Sequence, residues 1–328
     1  IASSLVATPR TRTATMMRAL LMVLSASFVY AAPLSVGETN QGVDLRIVGG
    51  VEVQAPNPWP WLGYMTNVGC GANLLNDNWF MTAAHCILTD NDDGFVSPSV
   101  VTVVFGCLDR TSNTCIKRGA SRVVPHPCYE THLEHDDIAL IKLDQPVNST
   151  AIGVATPDTT GVGLTAGTSV TLLGWGSTTG DGSTPATRLR EVTVAITSQA
   201  RCQEQNPEQL REGTLNFNQV ICTGGEAGKD SCNGDSGGPA VIRRDNKWVV
   251  VGLSSTGSEL PLQGDNCAAE GRLGVYTRVA SSWPWVQGVM SGASGDTGGC
   301  VNAAASLSPN VIVVLIALLV TSALAMVA

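Results

Sequence analysis

The sequence is poor in charged and aromatic side chains, which make up 14% and 5% of its residues. It also lacks a cationic excess: 19 Lys and Arg face 27 Asp and Glu, so the net charge is −8 and nothing suggests the basic face that nucleic-acid binding needs. No Cys-x-x-Cys pair occurs among the 10 cysteines, which argues against a zinc cluster. The chain is rich in apolar residues, which make up 44% of the total and exclude intrinsic disorder. It also has 35 glycines, but they lack the strict three-residue period of collagen.

Long apolar runs are confined to the two ends of the chain. Met16-Met17-Arg18 precedes an apolar run over Ala19–Ala31 and small residues suited to cleavage, which is the pattern of a secretory signal peptide. Val311–Ala328 carries no charge and follows a small, polar stretch, as in a GPI-anchor signal; a plain tail anchor is the alternative. The attachment residue stays open between 298–300 and 302–304. In an oxidising compartment, the even number of cysteines favours disulfides.

Between the ends, short apolar runs separated by turn residues predict β structure. Val192–Thr197 alternates apolar with small or polar residues, as a strand with one wet face does. Val100–Phe105, Ile138–Leu143 and Trp248–Leu253 are further runs of this kind. Many short strands with turn signals between them favour a sandwich or a barrel, and only Ser282–Met290 looks helical.

Four separated motifs carry the chemistry. Each alone has an ordinary structural explanation: a His among small residues, an Asp before a strand, a Gly-rich turn and an Arg in a linker. Together, in the order His, Asp, Ser and with a cleavage site ahead of them, they indicate nucleophilic catalysis. The motifs are Met81–Cys86 with His85, His135–Leu140 with Asp137, Asp230–Pro239 with Ser236, and Arg46–Gly50.

On these motifs the chain resembles the chymotrypsin/trypsin-like serine proteases over residues 47 to about 290. The resemblance implies that Ser236 is the nucleophile, that His85 is first the general base and then the acid, and that Asp137 holds the imidazole in the required tautomer. Asp136 is the competing carboxylate. The family's Asp-Ile-Ala-Leu pattern selects Asp137, and Asp136 is expected to be an exposed loop residue.

The resemblance also assigns the groups around this triad. The backbone N–H groups of Gly234 and Ser236 would form an oxyanion hole. Cleavage after Arg46 would free an α-amine on Ile47, and this amine would pair with the carboxylate of Asp235. The chain would therefore be made as a zymogen.

The primary specificity residue of the family falls on Asp230, and an acid there favours Arg or Lys in the substrate. Two departures bear on the outer subsites: Thr256 stands where the family has Trp, and the segment 258–266 is longer than in pancreatic-type trypsins. The pocket would be lined by Ser255, Gly257 and Gly274, with room for a long side chain.

Family position implies three disulfides, and closeness in sequence adds a fourth. Cys128 and Cys300 remain and are expected to pair with each other, which requires that Cys300 survives processing and favours anchor attachment beyond it. The loop between Cys107 and Cys115 replaces the family's calcium loop and has one acid, so no metal is expected, and no cofactor is implied. The implied pairs are Cys70–Cys86, Cys202–Cys222, Cys232–Cys267 and Cys107–Cys115.

The sequence therefore predicts an all-β, chymotrypsin-like fold of two packed six-stranded antiparallel β-barrels with a C-terminal helix. The function implied is a secreted, monomeric serine endopeptidase, glycosylated at Asn148, that cleaves protein or peptide substrates after Arg or Lys. It would be activated by another protease or by itself, would bind no nucleic acid, and would meet a membrane only through a C-terminal anchor at the cell surface. The alternative is a protease-like binding module with weak or no catalysis; the intact triad and Gly234 favour the enzyme.

These assignments divide the chain into six segments. They are an upstream segment outside the translated protein or from an incomplete gene model (1–15), the signal peptide (16–32), the activation propeptide (33–46), the protease domain (47–290), a small and polar spacer (291–310) and the hydrophobic tail (311–328).

Overall fold

The computed structural model describes residues 47–89, 91, 94–129, 136–212, 215–260 and 267–293. The predicted signal peptide, propeptide and C-terminal tail lie outside these residues, as do Arg46 and Cys300. Across the described ranges, every helix is too short or too polar to span a lipid bilayer.

Short antiparallel strands dominate the described part of the chain. The strands are β1 (Val51–Glu52), β2 (Leu62–Met65), β3 (Cys70–Asn76), β4 (Trp79–Thr82), β5 (Thr102–Phe105), β6 (Ile116–Pro125), β7 (Ala139–Leu143), β8 (Ser169–Gly174), β9 (Arg190–Ala195), β10 (Val220–Gly224), β11 (Pro239–Arg244), β12 (Lys247–Gly257) and β13 (Leu273–Arg278). The helices are α1 (Ser149–Ile152), α2 (Gln199–Glu204), α3 (Pro207–Glu212) and α4 (Val279–Met290), and His85–Ile87 and Pro98–Val100 form 3₁₀ turns.

Six strands of the first half close into a barrel in the order β2-β3-β4-β7-β6-β5. Its interior is filled by large apolar side chains, among them Phe80 and Phe105, whose rings meet edge to face at 5.1 Å. Closure leaves no unpaired edge, and the ends of β4 and β7 lie side by side, since Thr82 pairs with Ala139. The residues that follow β4 and precede β7 are therefore brought together.

The second half is a curled sheet in the order β1-β9-β8-β11-β12-β13-β10. In β9 the apolar Val192 and Val194 are buried while Thr193 and Ala195 are exposed, as the sequence alternation predicts. The β11–β12 hairpin turns on Asp245 and Asn246, whose positive φ angles of 48° and 60° suit a two-residue turn.

The sheet curls so far that Ile196, directly after β9, forms a bridge with Thr223 of the edge strand β10. The predicted fold of two β-barrels with a C-terminal helix is confirmed. The second sheet differs in one detail, because β1 pairs with β9 and adds a seventh strand.

Helix α4 connects the two halves. It begins at Val279, three residues before the predicted start, and buries Val279, Trp285, Val286 and Val289 along one face. The ring of Trp285 contacts that of His126, next to the first barrel, at a centroid distance of 4.7 Å. The helix follows the second half in sequence but packs against the first barrel.

Candidate active site

His85 lies in a 3₁₀ turn at the end of β4, where the completely buried Ala83 and Ala84 hold the chain against the barrel. The Cys70–Cys86 disulfide ties this turn to β3. The side chain of His85 is 30% exposed, so the ring is anchored on one side and open to solvent on the other.

Asp137 orients that ring. The Nδ1 atom of His85 lies 2.7 Å from Oδ2 of Asp137, and the backbone N–H of His85 donates to Oδ1 at 2.9 Å. The hydroxyl of Ser255 also donates to Oδ2, at 2.6 Å. Burial alone would raise the pKa of Asp137, but the adjacent His85 and these three hydrogen bonds hold that pKa below its ordinary value. The carboxylate is therefore ionised and fixes Nδ1 as the protonated nitrogen.

Contacts from the second half hold Asp137 in place. Ser255 belongs to β12, and the hydroxyl of Thr277 in β13 donates to the carbonyl oxygen of Asp137 at 3.0 Å. Asp137 itself precedes β7 of the first barrel, so the acid sits where the two halves meet.

The expectation that Asp136 is exposed is wrong: its exposure is 9%. The backbone turns at Asp136 with φ 52°, which directs the side chain inward, and its Oδ1 accepts from Nε2 of Gln219 at 2.9 Å. His126 lies on its other side, with Nδ1 3.9 Å from Oδ2. Asp136 thus contacts Gln219, directly before β10, while the His85 ring contacts Asp137.

Ser236 sits on a glycine-rich loop packed against the first barrel. Its carbonyl oxygen accepts from the N–H of Gly71 at 2.7 Å. A Cβ on Gly237 would lie 2.9 Å from the backbone nitrogen of Ala83, so only glycine allows the loop to approach the chain just ahead of His85. The N–H of Gly237 donates to Ser254, beside Ser255, at 2.8 Å.

The loops of His85 and Ser236 are therefore adjacent. Among the hydrogen bonds of the described residues, none joins the Ser236 hydroxyl to the His85 ring, and Nε2 of His85 lies 3.7 Å from Sγ of Cys86. A hydrogen bond between nucleophile and base commonly tightens only when substrate binds.

Two backbone N–H groups lie at the nucleophile, one on Gly234 and one on Ser236 itself. Gly234 has φ 94°, a conformation that favours glycine, and packs with its Cβ position 3.2 Å from Cα of Gly176. Within the described chain, the N–H groups of Gly234 and Ser236 have no protein acceptor. Two unpaired N–H groups beside one hydroxyl can bind an oxyanion.

Asp235 is buried between these donors. It accepts from the N–H of Gly176 at 2.8 Å and from the N–H of Cys232 at 2.9 Å. Burial raises its pKa to about 6, although both hydrogen bonds lower it. Ile47, which is fully buried, lines the same small cavity. No Lys, Arg or His of the described residues forms an ion pair with Asp235, so its negative charge is uncompensated there.

The specificity pocket predicted around Asp230 is walled by glycines. Asp230 is 4% exposed, and a Cβ on Gly274 would lie 2.9 Å from its Oδ1 atom. Burial raises the pKa of Asp230 to about 7, against the hydrogen bond from the N–H of Ser231. Gly257 pairs with Gly274 across β12 and β13.

A charged side chain that the sequence analysis did not assign lies at the same pocket. A Cβ on Gly257 would be 2.9 Å from Nη2 of Arg272 and 3.0 Å from its Nε. The sequence signal was an Arg next to Leu273, at the entry to the Gly274 motif, but the direction of its side chain depends on how β12 and β13 pair.

Four disulfides join described cysteines, and they are the four pairs that the resemblance and the spacing implied: Cys70–Cys86, Cys107–Cys115, Cys202–Cys222 and Cys232–Cys267. Cys128 is also disulfide-bonded, while its expected partner Cys300 lies outside the described residues. Clusters that combine His with Cys70, Cys86 or Cys128 therefore offer no thiolate to a metal. Asn148 is exposed at the start of α1.

The comparisons with known proteins fit this geometry. A family model described as Trypsin matches residues 47–286. Transmembrane protease serine 11G of Mus musculus is 35% identical over 237 residues, which is 70% of this chain and 52% of that protein. Coagulation factor IX of Oryctolagus cuniculus is 35% identical over 250 residues, which is 73% of this chain and 82% of that protein. Transmembrane protease serine 11G of Rattus norvegicus is 34% identical, and the chain spans about half the length of both transmembrane relatives.

Proposed function

Because the chain belongs to the trypsin family of serine proteases, we propose that it is an endopeptidase that cleaves after Arg or Lys through an acyl-enzyme. The observation that carries the catalytic part is the 2.7 Å contact between His85 and the buried Asp137, on a turn that packs against the loop of Ser236. This is the arrangement of base, orienting acid and nucleophile that acyl transfer requires.

The first chemical step would form a bond between Oγ of Ser236 and the scissile carbonyl carbon. The hydroxyl proton passes to Nε2 of His85, whose cation is stabilised by the ionised Asp137. The carbonyl oxygen becomes an oxyanion and is held by the N–H groups of Gly234 and Ser236.

The second step would break the carbon–nitrogen bond. His85 returns its proton to the leaving amine, which departs with the C-terminal part of the substrate. Water then attacks the acyl-enzyme by the same route and frees the carboxylic acid and Ser236.

Specificity for Arg or Lys rests on Asp230. Its buried carboxyl carries a raised pKa because it lacks the solvation of an exposed acid, and a guest cation would restore its ionised form. The glycine walls at Gly257 and Gly274 leave room for a long side chain.

Activation would follow cleavage after Arg46. Ile47 and Asp235 already line the same tightly packed space, so the new α-amine of Ile47 would form there and compensate the buried Asp235. Because Asp235 lies between Gly234 and Ser236, this ion pair would order both oxyanion donors.

We place the enzyme outside the cell or at its surface, anchored by the C-terminal tail and glycosylated at the exposed Asn148. The disulfides fit an oxidising compartment, and the relatives named above include transmembrane proteases and a coagulation factor.

The test uses the full chain cut after Arg46 and a small Arg-anilide substrate. Ser236→Ala should lower kcat by on the order of 10⁶-fold, since the residues of a triad act as a unit, while circular dichroism and the unfolding midpoint stay unchanged. A folded wild-type protein that neither turns over substrate nor reacts with a serine-directed phosphonate would identify the binding module instead.

A further inference from the structure

The pocket that the proposed function assigns to the substrate has two charged groups at its glycine walls. Gly257 and Gly274 face each other across β12 and β13. Beside Gly274 the space where a side chain would begin is bounded by the Asp230 carboxylate, 2.9 Å away. Beside Gly257 the matching space is bounded by the Arg272 guanidinium, with Nη2 at 2.9 Å and Nε at 3.0 Å. An acid and a base of the same chain therefore line the two walls of one slot.

The two groups act on each other through their charges, and the ion pairs of the described residues do not join them directly. Burial raises the pKa of Asp230 to about 7; the N–H of Ser231 and then the charge of Arg272 lower it, and the charge of Asp235 raises it. The hydroxyl of Tyr276, also close by, donates to the hydroxyl of Ser231 at 2.7 Å and carries no charge. Arg272 is thus the cation whose field reaches the pocket acid.

A substrate Arg or Lys has to bring a second cation into this slot, with its stem along the glycine walls. The resident guanidinium repels that cation and fills part of the path beside Gly257. We propose that Arg272 is a built-in competitor of the substrate's basic side chain, which sets how tightly the Asp230 pocket holds Arg and Lys. This rests on the proposed Arg or Lys specificity.

The expected size of the effect follows from how often the slot is open. When only a fraction of molecules has the guanidinium away from Gly257, the apparent affinity for a basic guest falls by that fraction, so an opening of about one in ten costs roughly tenfold. The loss concerns the binding of the substrate side chain. The atoms that carry out acyl transfer are not involved.

The experiment compares Arg272→Ala and Arg272→Met with the parent chain, all cut after Arg46. Met keeps most of the stem and removes the charge, which guards against collapse of the pocket rim. The control is Arg211→Ala, a cation on α3 whose side chain is 69% exposed. Measurements are made at about pH 9, where Asp230, with its pKa of about 7, is ionised in the parent.

Both Arg272 variants should bind benzamidine and an Arg-anilide substrate about tenfold more tightly, as a lower Ki and a lower KM, with kcat within about twofold of the parent. The Arg211 variant should match the parent. A second readout separates charge from structure: without Arg272 the pKa of Asp230 rises, so the loss of benzamidine binding on acidification should begin at a higher pH. If the role of Arg272 were only structural, the pH at which benzamidine binding is lost would stay the same in the variants.

The role of Arg272 would be overturned if both variants bound benzamidine no more tightly than the parent at pH 9. Normal turnover of Arg substrates by the parent would then leave the proposed function intact. A different failure concerns the proposed function. If neither the parent nor the variants bind benzamidine or turn over Arg substrates while a phosphonate still labels Ser236, the specificity assigned to Asp230 is wrong. The role proposed for Arg272 is then wrong as well.

Discussion

At the scale of single residues, three buried carboxylates of the site have pKa values shifted in different directions. Asp137 has a lowered pKa because hydrogen bonds and His85 outweigh its burial, whereas burial dominates at Asp230 and Asp235 and raises their pKa values to about 7 and about 6. The difference lies in their partners: Asp137 has His85 and three hydrogen bonds within the fold, whereas the proposed function would supply Asp230 with a substrate cation and Asp235 with a new α-amine.

This difference predicts a pH-dependent specificity. Below a pH of about 7 the Asp230 carboxyl of the free enzyme takes up a proton and loses its attraction for a substrate cation. The ratio of kcat/KM for an Arg substrate to that for a matched Phe substrate should therefore fall as the pH drops through this value. Protonation of His85 lowers kcat/KM for both substrates alike, so its effect cancels in the ratio.

Asp230→Ser supplies the control for this prediction. It should lower kcat/KM for Arg by about 10²- to 10³-fold, as expected for the loss of a buried charge partner, and it should make the ratio independent of pH. An equal loss for Arg and Phe substrates would contradict the assignment of the pocket.

At the scale of elements, two disulfides with similar loops have different positions. Cys70–Cys86 spans 16 residues and holds the turn of His85 to β3, while Cys107–Cys115 spans 8 residues in the connection between β5 and β6, which contains no residue of the triad. Closing loops of these lengths stabilises the fold by similar amounts.

Replacing both cysteines of either pair by Ala should therefore lower the free energy of unfolding by about 2.5–3 kcal/mol. Only the Cys70→Ala/Cys86→Ala variant should also lower kcat, by tenfold or more, because a small displacement of the base is costly. Urea unfolding and steady-state kinetics on both double variants check this; equal losses of kcat would show that the disulfide beside His85 does not position it.

At the scale of the whole molecule, the proposed activation would tie a chain end to the loop that carries Ser236. The α-amine of a cut chain has an ordinary pKa of about 8, and pairing with Asp235 would raise it. The ion pair therefore contributes fully below that ordinary value and is lost as the pH rises through the raised one. We expect the cut enzyme to lose activity reversibly at alkaline pH.

Asp235→Asn should give a cut chain that is folded but inactive. Amide exchange and turnover measured on the same samples separate the two properties. Full activity of this variant, or of the uncut parent, would contradict the activation mechanism.

The main parts of the fold follow from the sequence because alternation such as that in β9 needs only neighbouring residues to be interpreted. The motifs around His85, Asp137, Ser236 and Asp230 become interpretable because they occur together, in this order, and resemble those of a known family. The burial of Asp136 does not follow, since it depends on a backbone turn and on Gln219, 83 residues away. The position of the Arg272 side chain beside Gly257 does not follow from the sequence either, because it depends on the pairing of β12 with β13, which are separated in sequence.

The position of Asp137 has a wider consequence. It belongs to the first barrel, yet Ser255 and Thr277 of the second sheet hold its carboxylate and its carbonyl. In the proposed mechanism, proton transfer would therefore depend on the alignment of the two halves, whose apolar side chains, such as Phe80 and Val241, belong in part to one buried cluster. A molecule that bound far from the cleft and rotated one half slightly against the other would abolish this transfer while leaving the substrate pocket unchanged.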